Sequence, residues 1–249
     1  TAGIANYINA PVIAVDYVRN PLLPFTPQQA LALIRAMPPD FPPGAQARYS
    51  DSNYVLLGFV IERVTGRPAA AEIVDRVIRP LGLSGTTFPT TPEMPPPYMP
   101  GYAAPNPGDP LRDVTRSNPD VAWTAGAMIS TLADLRIWAK ALALGTLLSP
   151  AMQRERLTWN RFASPTFDVG YGLGVLSING LIGHNGGILG YSSWMLYGPE
   201  DDFTLVAITN RAATEGGTAD PIFSGIVRLL LPNRFPPVAA TPAAATPVS

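Results

Sequence analysis

The apolar positions of this chain change period along its length, and the change divides it. From Thr26 they recur three and four apart: Leu31, Leu33, Ile34 and Met37 follow Thr26, Pro27 and Gln29. Those three read as an N-cap, a first helical position and the far half of a capping box, and Pro38-Pro39 stops the helix. A second helix is expected over about residues 52–64, with Val55, Leu56, Phe59, Val60 and Val64 on its buried side and Gly66 as its stop. A third follows Arg67-Pro68 and runs to about Arg79, ahead of Pro80. Thr131 and Asp134 open a fourth through Leu144, closed by Gly145, and Ser149-Pro150 starts a shorter one. Residues 1–25 show no sustained period and read as irregular. Nine prolines between Pro89 and Pro110 make residues 85–121 a long, stiff surface loop.

The last third turns to period two. Asn179-Gly180 sits between residues 172–178 and 181–184, a strong hairpin signal. Residues 190–197 and 203–210 flank Gly198-Pro199-Glu200-Asp201-Asp202 as a second hairpin, and a helix is expected at about 221–231. From Pro236 to Ser249 the chain is rich in Ala, Pro and Thr and reads as a disordered tail. Helices first and antiparallel strands last predict an α/β (α+β) sandwich. Its helical lobe would cover about residues 26–160 and its sheet region about 168–231.

Composition narrows the chemistry. The chain has 249 residues, 47% of them hydrophobic and 14% charged, with a net charge of −1. Its basic residues are scattered, so nothing tracks a phosphate backbone and no nucleic-acid partner is expected. Cysteine is absent and His184 is the only histidine, which removes thiolate and histidine-rich metal sites. No metal and no organic cofactor are expected. No apolar run is long enough to span a bilayer, and no signal-peptide pattern is present. The chain opens on Thr1-Ala2-Gly3, without a methionine, which is not the pattern of a natural start.

Two short segments carry candidate chemistry. Tyr49-Ser50-Asp51-Ser52-Asn53 precedes the second helix. Local rules alone make its polar residues a helix cap, but a phenol is not a capping group. A phenol beside a cation can lose its proton and act as a general base. Gly183-His184-Asn185-Gly186-Gly187 lies on the strand after the Asn179-Gly180 turn. A lone histidine is more often structural than catalytic. Three glycines in five strand residues imply a close approach to the backbone, by a ligand or by another segment. A backbone N–H there can serve an oxyanion.

In this order, about 135 residues apart, the two segments resemble the second and third motifs of the penicillin-recognising serine hydrolases. The resemblance is to the group of class C β-lactamases, serine D-Ala-D-Ala carboxypeptidases and family VIII esterases, whose pattern is Ser-x-x-Lys, Tyr-x-Asn, Lys/His-x-Gly. Tyr49–Gly66, Ala125–Leu135, Tyr171–Gly174 and Gly183–Ser193 leading to Thr209-Asn210 are all similar to this group. Thr1-Ala2-Gly3-Ile4 resembles the segment after its nucleophile helix. The resemblance covers nearly all of residues 1–235.

It implies a β-lactamase-like sandwich with an antiparallel sheet, flanking helices and a helical lobe, its N-terminal strands and nucleophile helix lying outside these residues. It implies Tyr49 as general base and the Gly187 N–H as an oxyanion donor. His184 and Asn185 would orient the substrate's carboxylate or its equivalent, with Gly186 beside them. Asp51 replaces the usual asparagine, so Asn53 is the alternative amide donor. The substrate class is a D-alanyl peptide, a β-lactam or an ester, and the location would be extracytoplasmic.

The nucleophile motif itself is not in the sequence. Lys140 is the only lysine, and Ile137 stands three residues before it. Ser50, the serine nearest Tyr49, is expected to cap the second helix. The 249 residues alone are therefore expected to be inactive, with a companion N-terminal fragment or self-association through an open sheet edge as possible partners. The competing class is a non-catalytic module that binds peptidoglycan-like or protein partners. An unrelated α+β binding domain would make the ordered matches coincidence.

Overall fold

The computed structural model describes residues 1–106, 108–164, 166–211 and 219–236; all but the first residue of the expected tail lies outside these. The expected helices are present: α1 Pro27–Ala36, α2 Ser52–Thr65, α3 Ala69–Ile73, α4 Leu132–Leu144, α5 Pro150–Arg156 and α6 Asp220–Leu230. The Thr26 hydroxyl accepts from the Gln29 N–H at 3.3 Å while Gln29 Oε1 accepts from the Thr26 N–H at 2.9 Å, which completes the capping box. Gly66 and Gly145 end α2 and α4 with φ of 68° and 73°, a left-handed geometry that glycine adopts without a Cβ penalty. A π-helical turn, Val74–Ile78, carries α3 on towards Arg79.

Two expectations about the helical half are corrected. Residues 1–25 are not irregular throughout: Tyr7–Asn9 forms a 3₁₀ turn and Val12–Tyr17 a π-helical turn. Elements this short leave no readable period. On α2, Val55 is fully buried but Val60 and Val64 are 54% and 79% exposed. Nine residues at 100° each place Val64 on the side opposite Val55. The helix packs through Val55 and Gly58, where an added Cβ would fall 2.4 Å from Thr124 Oγ1 and 2.7 Å from the Trp123 ring. The core of this lobe also draws in Tyr7, Ile13, Tyr17 and Phe25.

The proline-rich stretch is more structured than a surface loop. Strands β1 (Tyr102–Ala103) and β2 (Arg112–Asp113) pair antiparallel, and Ala103 and Val114 form a buried cluster with Leu189. The Gly101 N–H donates to Thr115 Oγ1 at 2.9 Å, and the Tyr102 N–H donates to the Asn210 carbonyl at 3.0 Å. Strands of two residues are too short to show alternation.

The main sheet is antiparallel in chain order: β3 (Asn160–Phe162), β4 (Val169–Tyr171), β5 (Leu176–Ile178), β6 (Leu181–Ile188), β7 (Tyr191–Gly198) and β8 (Phe203–Thr209). Asn179 and Gly180, at φ 45° and 81°, make the tight turn between β5 and β6. Period-two alternation splits β7 between two layers. Trp194 and Leu196 join Leu205 and Ala207 under Phe223 and Val227 of α6. Met195 and Tyr197 join Ile182 under Ala139 and Ala143 of α4. Helices on both faces make the expected sandwich. No helix among the described residues is long and apolar enough to cross a membrane.

Candidate active site

The two candidate segments meet where the helical lobe abuts β6. Tyr49 lies just before α2, and its hydroxyl donates to Asp51 Oδ1 at 3.0 Å. The other Asp51 oxygen accepts from Asn6 Nδ2 at 2.9 Å. The Tyr49 ring stacks on Tyr54, centroids 5.7 Å apart, and stands 5.8 Å from Tyr171 and 6.0 Å from His184. The segments are thus in one cluster, although about 135 residues separate them in the chain.

His184 is held at both ring nitrogens. Nδ1 lies 2.5 Å from the Asn185 carbonyl, so it carries the proton, and the neutral ring accepts through Nε2 from the Tyr171 hydroxyl at 2.8 Å. Tyr171 in turn accepts from the Tyr54 hydroxyl at 2.5 Å. Burial pushes the His184 pKa below its ordinary 6.5, against the smaller upward pulls of the Asn185 carbonyl and the Asp51 carboxylate. A folded-state pKa below the unfolded one means that the unfolded chain takes up the proton first on acidification. Stability therefore falls as pH drops below about 6.5 and levels off under the folded-state pKa. The melting temperature should decline through that window, and His184→Gln should flatten part of the decline. An identical profile in the variant would show that His184 titrates freely.

Tyr49 is a neutral phenol in this arrangement. Burial raises its pKa most, and the Asp51 carboxylate adds to the rise by repelling a phenolate and by accepting the phenol's proton. Burial likewise raises Tyr171 and Tyr54. Asp51 stands unpaired with any cation among the described residues, and Lys140 is engaged elsewhere, 2.6 Å from Asp202.

Other site residues have separate positions. Asn53 Nδ2 donates to the Ser50 carbonyl at 3.2 Å, which commits the amide to the first turn of α2. Ser50 does not cap that helix, contrary to expectation: Asp51 is the N-cap residue, and Ser50 Oγ is buried without a partner. Asn185, Gly186 and Gly187 are exposed on β6.

The glycines divide by what they meet. A Cβ at Gly183 would fall 2.0 Å from the Met195 carbonyl oxygen, so a neighbouring strand requires that glycine. A Cβ at Gly187 would meet nothing within 4 Å. The neighbour β5 reaches only to the Leu176–Gly183 pairing, so residues 184–188 of β6 lie beyond it on that side. That stretch is where an extended ligand could add to the strand.

Sequence reasoning gave no role to Asn6, Tyr54 or Tyr171. Tyr171 stood in the Tyr171–Gly174 match, and Tyr54 directly follows Asn53, but neither position signals a bond to the other. Two surface clefts lie away from this cluster. One of about 380 Å³ is lined by Asn20, Tyr98, Asp113, Thr115 and Arg116, and one of about 310 Å³ by Ile4, Leu31, Ile34 and Leu56.

A helix-flanked antiparallel sheet, with a tyrosine before a helix near a His-x-Gly strand, is the arrangement that the resemblance to the penicillin-recognising serine hydrolases implies. The chain belongs to the Beta-lactamase family, whose family model matches residues 1–225. It is similar to the crystal structure of a D-stereospecific amidohydrolase from Streptomyces sp., at 34% identity and a TM-score of 0.83. That match covers 90% of this chain and 69% of the other. A D-amino acid amidase from Ochrobactrum anthropi SV3, complexed with L-phenylalanine amide, is 25% identical with a TM-score of 0.76, over 92% of this chain and 69% of that one. A putative D-alanyl-D-alanine carboxypeptidase of Escherichia coli (strain K12) is 43% identical over 60 residues, 24% of this chain. The match spans only 14% of that carboxypeptidase's length.

Proposed function

We propose that these residues form the general-base and strand-side half of an acyl-enzyme hydrolase that cleaves amide bonds next to D-amino acids. The observation that carries this reading is the meeting of Tyr49 and the His184–Gly187 strand in one cluster. The similarity to a D-stereospecific amidohydrolase favours amides of D-amino acids over β-lactams and simple esters. A serine from a Ser-x-x-Lys segment would attack the carbonyl, and Tyr49 would relay its proton to the leaving amine. The Gly187 N–H would face the developing oxyanion. His184, bonded at both nitrogens, would hold Tyr171 and the strand in place, and Asn185 would be the exposed group for the substrate's far end. The lysine has a defined task here. A cation beside Tyr49 lowers its pKa, whereas Asp51 raises it.

A second reading is binding of peptidoglycan-like or protein partners without turnover. An exported, cell-envelope location goes with the first reading. Substrate comparison tests both. The chain carrying a Ser-x-x-Lys segment should hydrolyse D-phenylalanine amide faster than its L-isomer, a chromogenic cephalosporin or a short-chain ester. Faster ester or cephalosporin turnover would move the assignment to another branch of the family, and no turnover at all would favour the binding module.

A further inference from the structure

The cleft of about 380 Å³ stands apart from the tyrosine cluster, but the β6–β7 turn joins it to β6. Across that hairpin Gly187 pairs with Ser192 and Ile188 with Tyr191. The Tyr191 hydroxyl donates to the Met99 carbonyl at 2.8 Å, and a Cβ at Gly101 would fall 2.5 Å from the Tyr191 ring. A Cβ at Gly190 would fall 2.7 Å from the Val114 side chain. Burial raises the Tyr191 pKa most, and the nearby Asp113 carboxylate and Tyr98 add to the rise. The walls of the cleft therefore meet β6 at the Ile188 end of the stretch that β5 leaves free.

Three segments line the cleft: residues 20–22 ahead of α1, Tyr98 of the proline-rich stretch, and Asp113, Thr115 and Arg116 at and after β2. Leu22 and Tyr98 are 44% and 51% exposed, so an apolar side chain and a ring are open to an occupant. Thr115 is buried, its Oγ1 accepting from the Gly101 N–H at 2.9 Å, and its own N–H donates to Asp113 Oδ1 at 2.8 Å. The Thr115 hydroxyl and N–H hold the Asp113 carboxyl below its ordinary range, which keeps it ionised and oriented. Arg116 pairs with Glu93 at 2.6 Å, so the charge that the cleft presents is that of Asp113. A fixed carboxylate accepts hydrogen bonds only, and a ring face attracts cations. Together they suit an ammonium group.

We propose that this cleft is a subsite for an ammonium group carried by a peptide substrate on the acyl side of the scissile bond, with Asp113 as its acceptor and the Tyr98 ring beside it. This deepens the proposed function and rests on it for the direction of the substrate. With the carbonyl at the Gly187 N–H and one end of the substrate at Asn185, the other end runs past Ile188 towards the cleft. An extended chain advances ~3.3–3.6 Å per residue, so residues preceding the D-residue supply the reach. The ammonium is either the amino terminus of the peptide or a lysine side chain within it, and blocked peptides distinguish the two.

The test is binding to the 249-residue chain, measured by calorimetry. The ligands are glycylglycyl-D-phenylalanine amide, its N-acetyl derivative, N-acetyl-lysyl-D-phenylalanine amide and glycylglycine amide. The free amine should bind about tenfold or more tightly than the N-acetylglycylglycyl form, the scale of one hydrogen bond to a charged group. Asp113→Asn keeps an acceptor for the Thr115 N–H and should abolish that preference while circular dichroism stays unchanged. Asp109→Asn, which removes the same charge nearby in the chain, should leave the preference intact. Asp113-dependent binding of the lysyl peptide, at or above that of the free terminus, assigns the subsite to a side-chain amine. Weaker binding assigns it to the amino terminus. Equal binding of glycylglycine amide would detach the cleft from the substrate and overturn the proposal. So would failure of every amine to bind, or a preference that survives Asp113→Asn or is lost in Asp109→Asn. Failure of turnover with a Ser-x-x-Lys segment present would refute the proposed function and leave the Asp113-dependent binding standing.

Discussion

Tyr49→Phe is expected to slow acylation by ~10²–10⁴ in the chain carrying a Ser-x-x-Lys segment, the range that general acid–base catalysis contributes. The substitution removes one hydroxyl and keeps the ring that stacks on Tyr54. Asp51 loses a donor but keeps the Asn6 amide. Stability should therefore change little, because Tyr49 is exposed enough for water to replace its hydroxyl. The informative quantity is the ratio of the two effects. A kcat/KM within a few-fold of the parent would remove Tyr49 from the proton transfer. A matching loss of activity and melting temperature would make its role structural.

Asp134→Ala should produce a large loss of stability for a polar position, about 2–3 kcal/mol, because the buried Thr86 hydroxyl and the Gly85 N–H both lose their acceptor. Asp134 is 5% exposed. Its Oδ2 accepts from the Gly85 N–H at 2.8 Å and from the Thr86 hydroxyl at 2.7 Å. These bonds tie the loop after α3 to the start of α4, across 48 and 49 residues of chain. The Thr86 hydroxyl also contacts Ser130, so the network does not vanish with the carboxylate. Asp134→Asn retains one acceptor oxygen and should recover part of the loss, measured by urea denaturation. Equal losses in the two variants would mean that the charge, not the acceptor, anchors the loop. This places Asp134, which stands inside the Ala125–Leu135 match, in the architecture and away from the chemistry.

Much of the fold was legible because its signals are local. Thr26, Thr131 and Ser149 each cap a helix within three residues of themselves, and Asn179-Gly180 turns a hairpin within two. The packing was less legible. Which side of α2 is buried depends on Trp123 and Thr124, more than 60 residues from Gly58, although helical geometry alone sets Val64 opposite Val55. The two candidate segments were legible as sequences, and their meeting was expected only through the family resemblance. Their wiring was not legible. The Asn6–Asp51 bond spans 45 residues, and the Tyr54–Tyr171 bond spans 117. The pairing of His184 with Tyr171 needed the register of three strands. Ser50 failed for a different reason: capping preference describes a residue type, and here the backbone put the neighbouring Asp51 at the N-cap position.

The proposed function puts the tyrosine and strand motifs of a serine hydrolase in these residues and the acylated serine outside them. Intact-mass spectrometry after exposure to a fluorophosphonate or penicillin probe tests it directly. No adduct is expected on the 249-residue chain, and a stoichiometric adduct is expected on a serine of a supplied Ser-x-x-Lys segment. A stoichiometric adduct on the 249-residue chain alone, at Ser50 or any other serine within it, would contradict the assignment.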